Sequence, residues 1–254
     1  MTQDQDAEFS YGPGQSFGQF TSFSDTQPPR RSPERRKAVW WMAGGVAVVV
    51  AVVVTVLVIR GGSLLTADAS LEPGLLTGSD VSGYSVSVLT QDELDDATAQ
   101  EQALPADISP PECAELLRDQ PKLADDTPVG AAKLAGGTAA YVEMITPDNG
   151  IESWDPSRAT QFAATCGTVT FSESGQSGTL SIEVIDPPSP SRAEHAFAMR
   201  FTIEADGVSV TLASAVAKVG DHAVALVGGT SGEFDESEFR EIAGDAFDKV
   251  ARTL

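Results

Sequence analysis

The chain is short of the residues that carry out chemistry. It has two histidines and two cysteines in 254 residues. No Cys/His pair has zinc-ligand spacing, so a structural or catalytic zinc site is not expected. His195 stands at the start of an expected strand and His222 beside an expected turn, where both read as edge or surface residues. Serine chemistry is equally unsupported. Gly229-Thr230-Ser231-Gly232 lacks the Gly-x-Ser-x-Gly spacing of a hydrolase elbow, and there is no Ser-x-x-Lys. Lys218 follows Ser214 by four positions, but nothing nearby would activate the hydroxyl. We therefore expect no catalytic, cofactor-binding or metal-binding residues, and no enzyme. The acid clusters Asp92-Glu93-Leu94-Asp95-Asp96 and Asp148-Asn149-Gly150 do not match the spaced pattern of a calcium loop. Basic residues are scarce too: 16 Lys and Arg stand against 37 Asp and Glu, a net charge of −21. That balance excludes nucleic acid as a partner and disfavours anionic lipid headgroups.

What the chain does have is a long apolar run. Residues 38–59 carry no charge and a single polar side chain, Thr55. At ~1.5 Å per residue the run makes a helix of about 33 Å, enough to cross a hydrocarbon core of roughly 30 Å. Arg30, Arg31, Arg35, Arg36 and Lys37 precede it and only Arg60 follows closely, so the N-terminus is expected in the cytoplasm. The competing reading is a cleaved signal peptide, with a small-x-small site at Ala67-Asp68-Ala69. That site lies well past the run, and the run begins late, so an uncleaved single-pass anchor fits better. No cysteine follows closely enough to accept a lipid. Acids and bases cancel in residues 1–37, so the whole −21 falls on the outer side.

Four segments follow from this division. Residues 1–37 form a disordered cytoplasmic tail, 38–59 the transmembrane helix, 60–74 a linker and 75–254 the extracytoplasmic domain. Ala43, Ala47 and Ala51 repeat every fourth position in the span, with Gly44 and Gly45 beside them. Such a stripe lets two helices approach closely, so it is a possible contact face for self-association or for another membrane protein.

The outer domain alternates short helices and strands. Residues 84–89 alternate as a first strand, and 91–107 are an acidic loop or short helix. Ser109-Pro110 and Asp155-Pro156 each read as an N-cap followed by Pro at the first helical position. Cys113, Leu116 and Leu117 then form one apolar stripe, and Ala159, Phe162, Ala163 and Cys166 another. Both cysteines lie on core-facing stripes on the oxidising side, so a Cys113–Cys166 disulfide is expected; the alternative is two buried free thiols. Residues 138–145 read as a strand, as do those around Val169 and Phe171 and around Leu180, Ile182 and Val184. Phe197, Met199, Phe201 and Ile203 share a strand face, and turns at Asp206-Gly207 and Gly220-Asp221 extend it into a three-stranded meander. Phe239, Ile242, Ala243, Ala246, Phe247 and Val250 step along one face of a final helix, with acids at its start and Lys249 and Arg252 at its end. The expected fold is α+β: an antiparallel sheet of about six or seven strands, packed by two short helices and a C-terminal amphipathic helix, after one transmembrane helix.

Four stretches add a resemblance: LLTGSDVSGY at 75–84, ISPPEC at 108–113, ATC at 164–166 and VGDHAV at 219–224, before a terminal amphipathic helix. Together they resemble the extracellular sensor-like domains of the mycobacterial PknH type and related actinobacterial envelope proteins. That resemblance implies a cleft-bearing α+β domain that binds a ligand. Kinase sensor domains of this type usually carry two disulfides; this chain has cysteines for one, and no kinase domain. No catalytic residue carries over. The expected function is binding of an envelope ligand or partner at the membrane surface. The alternative is an accessory subunit that docks through its span.

Overall fold

In the computed structural model, residues 65–99, 107–118, 126–148, 156–173, 176–188, 193–205, 207–230 and 233–254 are described. The tail, the apolar run 38–59 and the Ala43/Ala47/Ala51 stripe lie outside them. Among the described residues no helix is long and apolar enough to cross a membrane.

The elements in chain order are β1 (Thr66–Ala67), a 3₁₀ turn (Ala69–Gly74), β2 (Ser85–Val88), α1 (Gln91–Ala99), β3 (Asp107–Ser109) and α2 (Pro111–Arg118). Then come β4 (Pro128–Gly136), β5 (Ala139–Pro147), α3 (Pro156–Cys166), β6 (Thr168–Glu173) and β7 (Gln176–Ile185). The chain closes with β8 (Glu194–Ala205), β9 (Val208–Val219), β10 (His222–Thr230) and α4 (Glu236–Thr253). The strands form one 10-stranded sheet in the order β1-β4-β5-β10-β9-β8-β7-β6-β3, with β2 also paired to β4. The β1–β4 pair is parallel and the rest antiparallel.

The α+β class and the C-terminal helix match the sequence reading, but the sheet is larger and mixed. The strand read at residues 84–89 is β2, while β1 and β3 are short pairings whose partners lie far away in sequence, so no local pattern announces them. The stretch read as a linker supplies β1 and the 3₁₀ turn, and Leu65 and Leu71 within it are buried. Residues 91–99 are helical, and α1 buries Leu94. Helix α2 starts at Pro111, not Pro110, because Ser109 is drawn into β3 opposite Thr170. Strand β7 starts at Gln176, ahead of the apolar alternation at Leu180, Ile182 and Val184.

Helices cover both faces of the sheet. On one, α4 and the 3₁₀ turn pack on Leu134, Tyr141, Ile145, Val224 and Leu226. On the other, α2 and α3 cover Ile182, Met199, Phe201, Leu212 and Val216, while Leu94 of α1 joins Val129 and Met144. Helix α4 forms where expected: Asp235 Oδ1 accepts from the backbone N–H groups of Ser237 and Glu238 at 2.9 and 3.0 Å, a cap worth about 1 kcal/mol. All six residues of its predicted stripe are buried. The meander β8-β9-β10 forms through Gly207 and Gly220, whose φ of 76° and 59° suit glycine.

Candidate functional site: an open groove at the end of the sheet

On β6, β7 and the adjoining ends of β8 and β9, α2 and α3 cover one face of the sheet, while α4 reaches the opposite face only farther along, at Ala198, Ala213 and Ala215. Cross-strand register aligns their uncovered face in rows. Thr168, Ser181, Thr202 and Thr211 are successive partners, and Thr230 of β10 continues the line. The next row is Ser109, Thr170, Thr179, Glu204 and Ser209, across five strands. Beyond it stand Asp107, Ser172 and Ser177. Partners in register share a face, and neighbouring strands lie about 4.8 Å apart, so these are hydroxyl rows at strand spacing. β-Branched Thr is at home on a pleated surface; Thr168 and Thr170 are exposed, Thr202 and Thr211 half-buried and Thr230 buried.

The last two rows border an open groove of ≈ 980 Å³. Its lining comes from both faces of the sheet. Ser109, Thr170, Ser172, Thr179, Glu204 and Ser209 supply hydroxyls and a carboxylate, and Ile108, Phe171, Ala114 and Val208 supply apolar surface. Asp107 and Glu115 add two further acids, and no Lys or Arg is among the lining residues described. Gly178 shapes one wall. A Cβ there would overlap Phe171 Cζ and stand 2.9 Å from the Glu204 carbonyl oxygen, so the ring can approach β7 this closely only because position 178 is glycine.

The disulfide fixes the other wall. Cys113 and Cys166 are bonded, with Cα atoms 5.6 Å apart and both fully buried. The bond ties α2, which contributes Pro111, Ala114 and Glu115 to the groove, to α3, which packs on β7 and β8. The sequence pattern found this pair because both cysteines fall on apolar helical stripes. It missed the groove, whose parts come from residues a hundred positions apart; the one local signal was the hydroxyl alternation at Thr168, Thr170 and Ser172 and at Ser177, Thr179 and Ser181.

The other residues weighed in the sequence lie elsewhere. His195 is exposed at a β8 irregularity with φ of 55°, and His222 opens β10. Lys218 pairs with Asp148, while Ser214 is buried in β9. The cluster 92–96 lies on α1, where Asp95 accepts a hydrogen bond from Gln91 and Glu93 from Thr90. Asn149, Gly150, Ser231 and Gly232 lie outside the described residues. Among the described residues no three His, Cys, Asp or Glu side chains gather to hold a metal.

A buried acid that the sequence reading passed over sits between β5 and α4. Glu143 shares a strand face with Tyr141 and Ile145 and is 0% exposed. Its Oε2 accepts from the Leu76 backbone N–H at 2.7 Å, and its Oε1 has no hydrogen-bond partner among the described residues. Burial pushes its carboxyl up to about 7, only partly offset by the Leu76 hydrogen bond and by Lys249. Nearby, Lys249 donates to Asp80 at 2.6 Å, and that bond with the Thr77 hydroxyl holds Asp80 down to about 2.

No protein-family model and no curated protein matches the chain. Solved structures similar to it include an uncharacterised Mycobacterium smegmatis protein, an Rv0999 ortholog, at 18% identity and TM-score 0.43, covering 68% of this chain and 92% of that one. They also include the extracellular domain of PknH from Mycobacterium tuberculosis, at 12% identity and TM-score 0.41, covering 70% of this chain and 93% of that one. The type of domain that the sequence motifs resemble is thus among the structural neighbours.

Proposed function

We propose that the chain is a single-pass membrane protein whose outer domain binds a ligand in the groove between α2 and the β6–β9 hairpins. The observation that carries this reading is the groove itself: an open cavity of ≈ 980 Å³ whose lining mixes hydroxyl rows with an aromatic and aliphatic wall. Concave sites with an apolar wall and a few convergent polar groups are where small ligands bind. A lining with three acids and no described cation suits a neutral or cationic ligand rich in hydroxyl or amine groups. It disfavours a phosphate or an anionic headgroup. The reading is one of binding without turnover. The apolar run 38–59 would hold the site close to the membrane, and the Cys113–Cys166 bond would keep the α2 wall in place when the groove is empty.

Native mass spectrometry of the full chain purified from its own host tests the proposal. A bound molecule should be found, and Ser177→Trp with Ser209→Trp, which fill the groove from exposed positions, should abolish it. A ligand retained at full occupancy in the double variant would place binding elsewhere. A second reading, an accessory subunit docking through Ala43, Ala47 and Ala51, rests on the small-residue stripe alone. Replacing the three alanines with Leu should then remove a co-purifying partner.

A further inference from the structure

The segment that follows β1 is held down over Glu143. Leu71 approaches β4 so closely that a Cβ on Gly130 would stand 2.7 Å from Leu71 Cβ. Gly74 likewise leaves room for Leu254 at the end of α4, where a Cβ would stand 2.7 Å from Leu254 Cδ1. Leu71, Leu75, Leu76 and Val81 are all buried. Beneath them, Glu143 reaches up from β5 and takes the Leu76 N–H. The segment is therefore fixed by apolar packing, by the Lys249–Asp80 pair and by one hydrogen bond to a carboxyl group removed from water.

The surroundings of that carboxyl are nearly uncharged. Its strand partners are Ala132 on β4 and Leu226 on β10, and Tyr141 and Ile145 flank it on β5. The charged groups that act on it are Lys249 from α4 and Asp80 from the segment itself, and these are already bonded to each other. Asp245 of α4 lies close enough to Asp80 to feel its charge. An ionised Glu143 would be left with the Leu76 N–H and a lysine committed elsewhere. A buried carboxylate so poorly compensated is relieved by admitting water, and water enters only if the covering segment lifts.

We propose that Glu143 is a proton-operated latch on residues 71–81: neutral, it lets the segment stay docked on β4, β5 and α4, and ionised, it releases the segment. Because these residues follow β1, the first strand after the apolar run, the latch would couple external pH to the packing of the domain's N-terminal part, a reading that rests on the proposed topology. The direction follows from linkage: docking raises the proton affinity of Glu143, so losing the proton must favour the undocked form. The group changes charge within the range a bacterial surface meets.

Hydrogen exchange of the full chain in detergent tests this, with rates corrected for intrinsic base catalysis. Between about pH 5.5 and about pH 8.5 the corrected exchange of residues 71–81 should rise at least about tenfold, while β9 and β10 stay protected. Glu143→Gln, which keeps the shape without the charge, should hold the segment protected throughout. A pH-independent segment in the wild-type chain, or an unchanged pH response in Glu143→Gln, overturns the proposal. If that variant does not fold, a carboxyl-carbon NMR titration of Glu143 in the wild-type chain decides instead. Its midpoint must coincide with the release of 71–81, and a midpoint near the ordinary glutamate value refutes the latch.

Discussion

Strands β9 and β10 carry apolar side chains to both faces of the sheet, whereas β6, and β7 up to Ile185, carry them to one. In β9, Leu212 and Val216 meet the α2–α3 core while Ala213, Ala215 and Ala217 meet α4. In β7, Ile182 is buried under α3, while Thr179, Ser181 and Glu183 make the opposite face polar until Ile185 rejoins the core beneath α4. One sheet thus has a doubly covered half and a singly covered half. The covered half is where an ionisable group can be trapped, as Glu143 is. The half with a free face keeps its polar rows accessible, and the groove opens at its end. Stability and recognition are divided along the strand order, a division that substitutions on either side can break.

The largest effect should come from the covered half. Phe247 is fully buried between α4 and the sheet, and Phe247→Ala should cost about 3–5 kcal/mol in chemical denaturation, from lost burial and the cavity left behind. Next is the covalent tie beside the groove. Cys113→Ala with Cys166→Ala opens a loop spanning a sequence separation of 53 and should cost about 4 kcal/mol on the chain-entropy model. The same pair should weaken ligand retention in the groove, since α2 is one of its walls.

A pH effect of similar size should separate wild type from Glu143→Gln. The folded carboxyl titrates at about 7, above its ordinary 4.5, so the folded chain keeps a proton that the unfolded chain has released. Its contribution is complete below about 4.5 and declines as pH rises through about 7, by on the order of 3 kcal/mol. Glu143→Gln should remove that decline in thermal melts across the window. Asp80 acts oppositely: held near 2, it contributes above its ordinary 3.8 and loses that contribution as pH falls toward about 2. The smallest effect belongs to the free face. Thr202→Val should change stability by no more than about 0.5 kcal/mol. A change as large as that of Phe247→Ala would mean that the hydroxyl face is covered after all, and would erase the contrast between the halves.

The legible parts of the sequence are those whose pattern is local. The stripe from Phe239 to Val250 repeats at helical spacing, and every member is buried. Alternation from Phe197 to Ile203, followed by a glycine turn, reads as a hairpin because strand and turn are contiguous. Glu143 shows the limit. A glutamate in a strand is expected to face water, yet Tyr141 and Ile145, two positions to either side, share its face and are buried. Their alternation was the available signal, and it points inward.

By itself the sequence determined the C-terminal helix, the two cysteine-bearing helical stripes, the meander and the sign of the charge, because periodicity and capping are properties of a few consecutive residues. Only the tertiary structure decided that residues 65–74 belong to the domain and that β3 closes the far edge of the sheet. It alone buried Glu143 beneath Leu76 and brought Ser109, Thr170, Thr179, Glu204 and Ser209 into one row. Those outcomes depend on which distant strands pair and what then lies above them. That choice is set by the free energy of the whole packed core, which no short window of residues encodes.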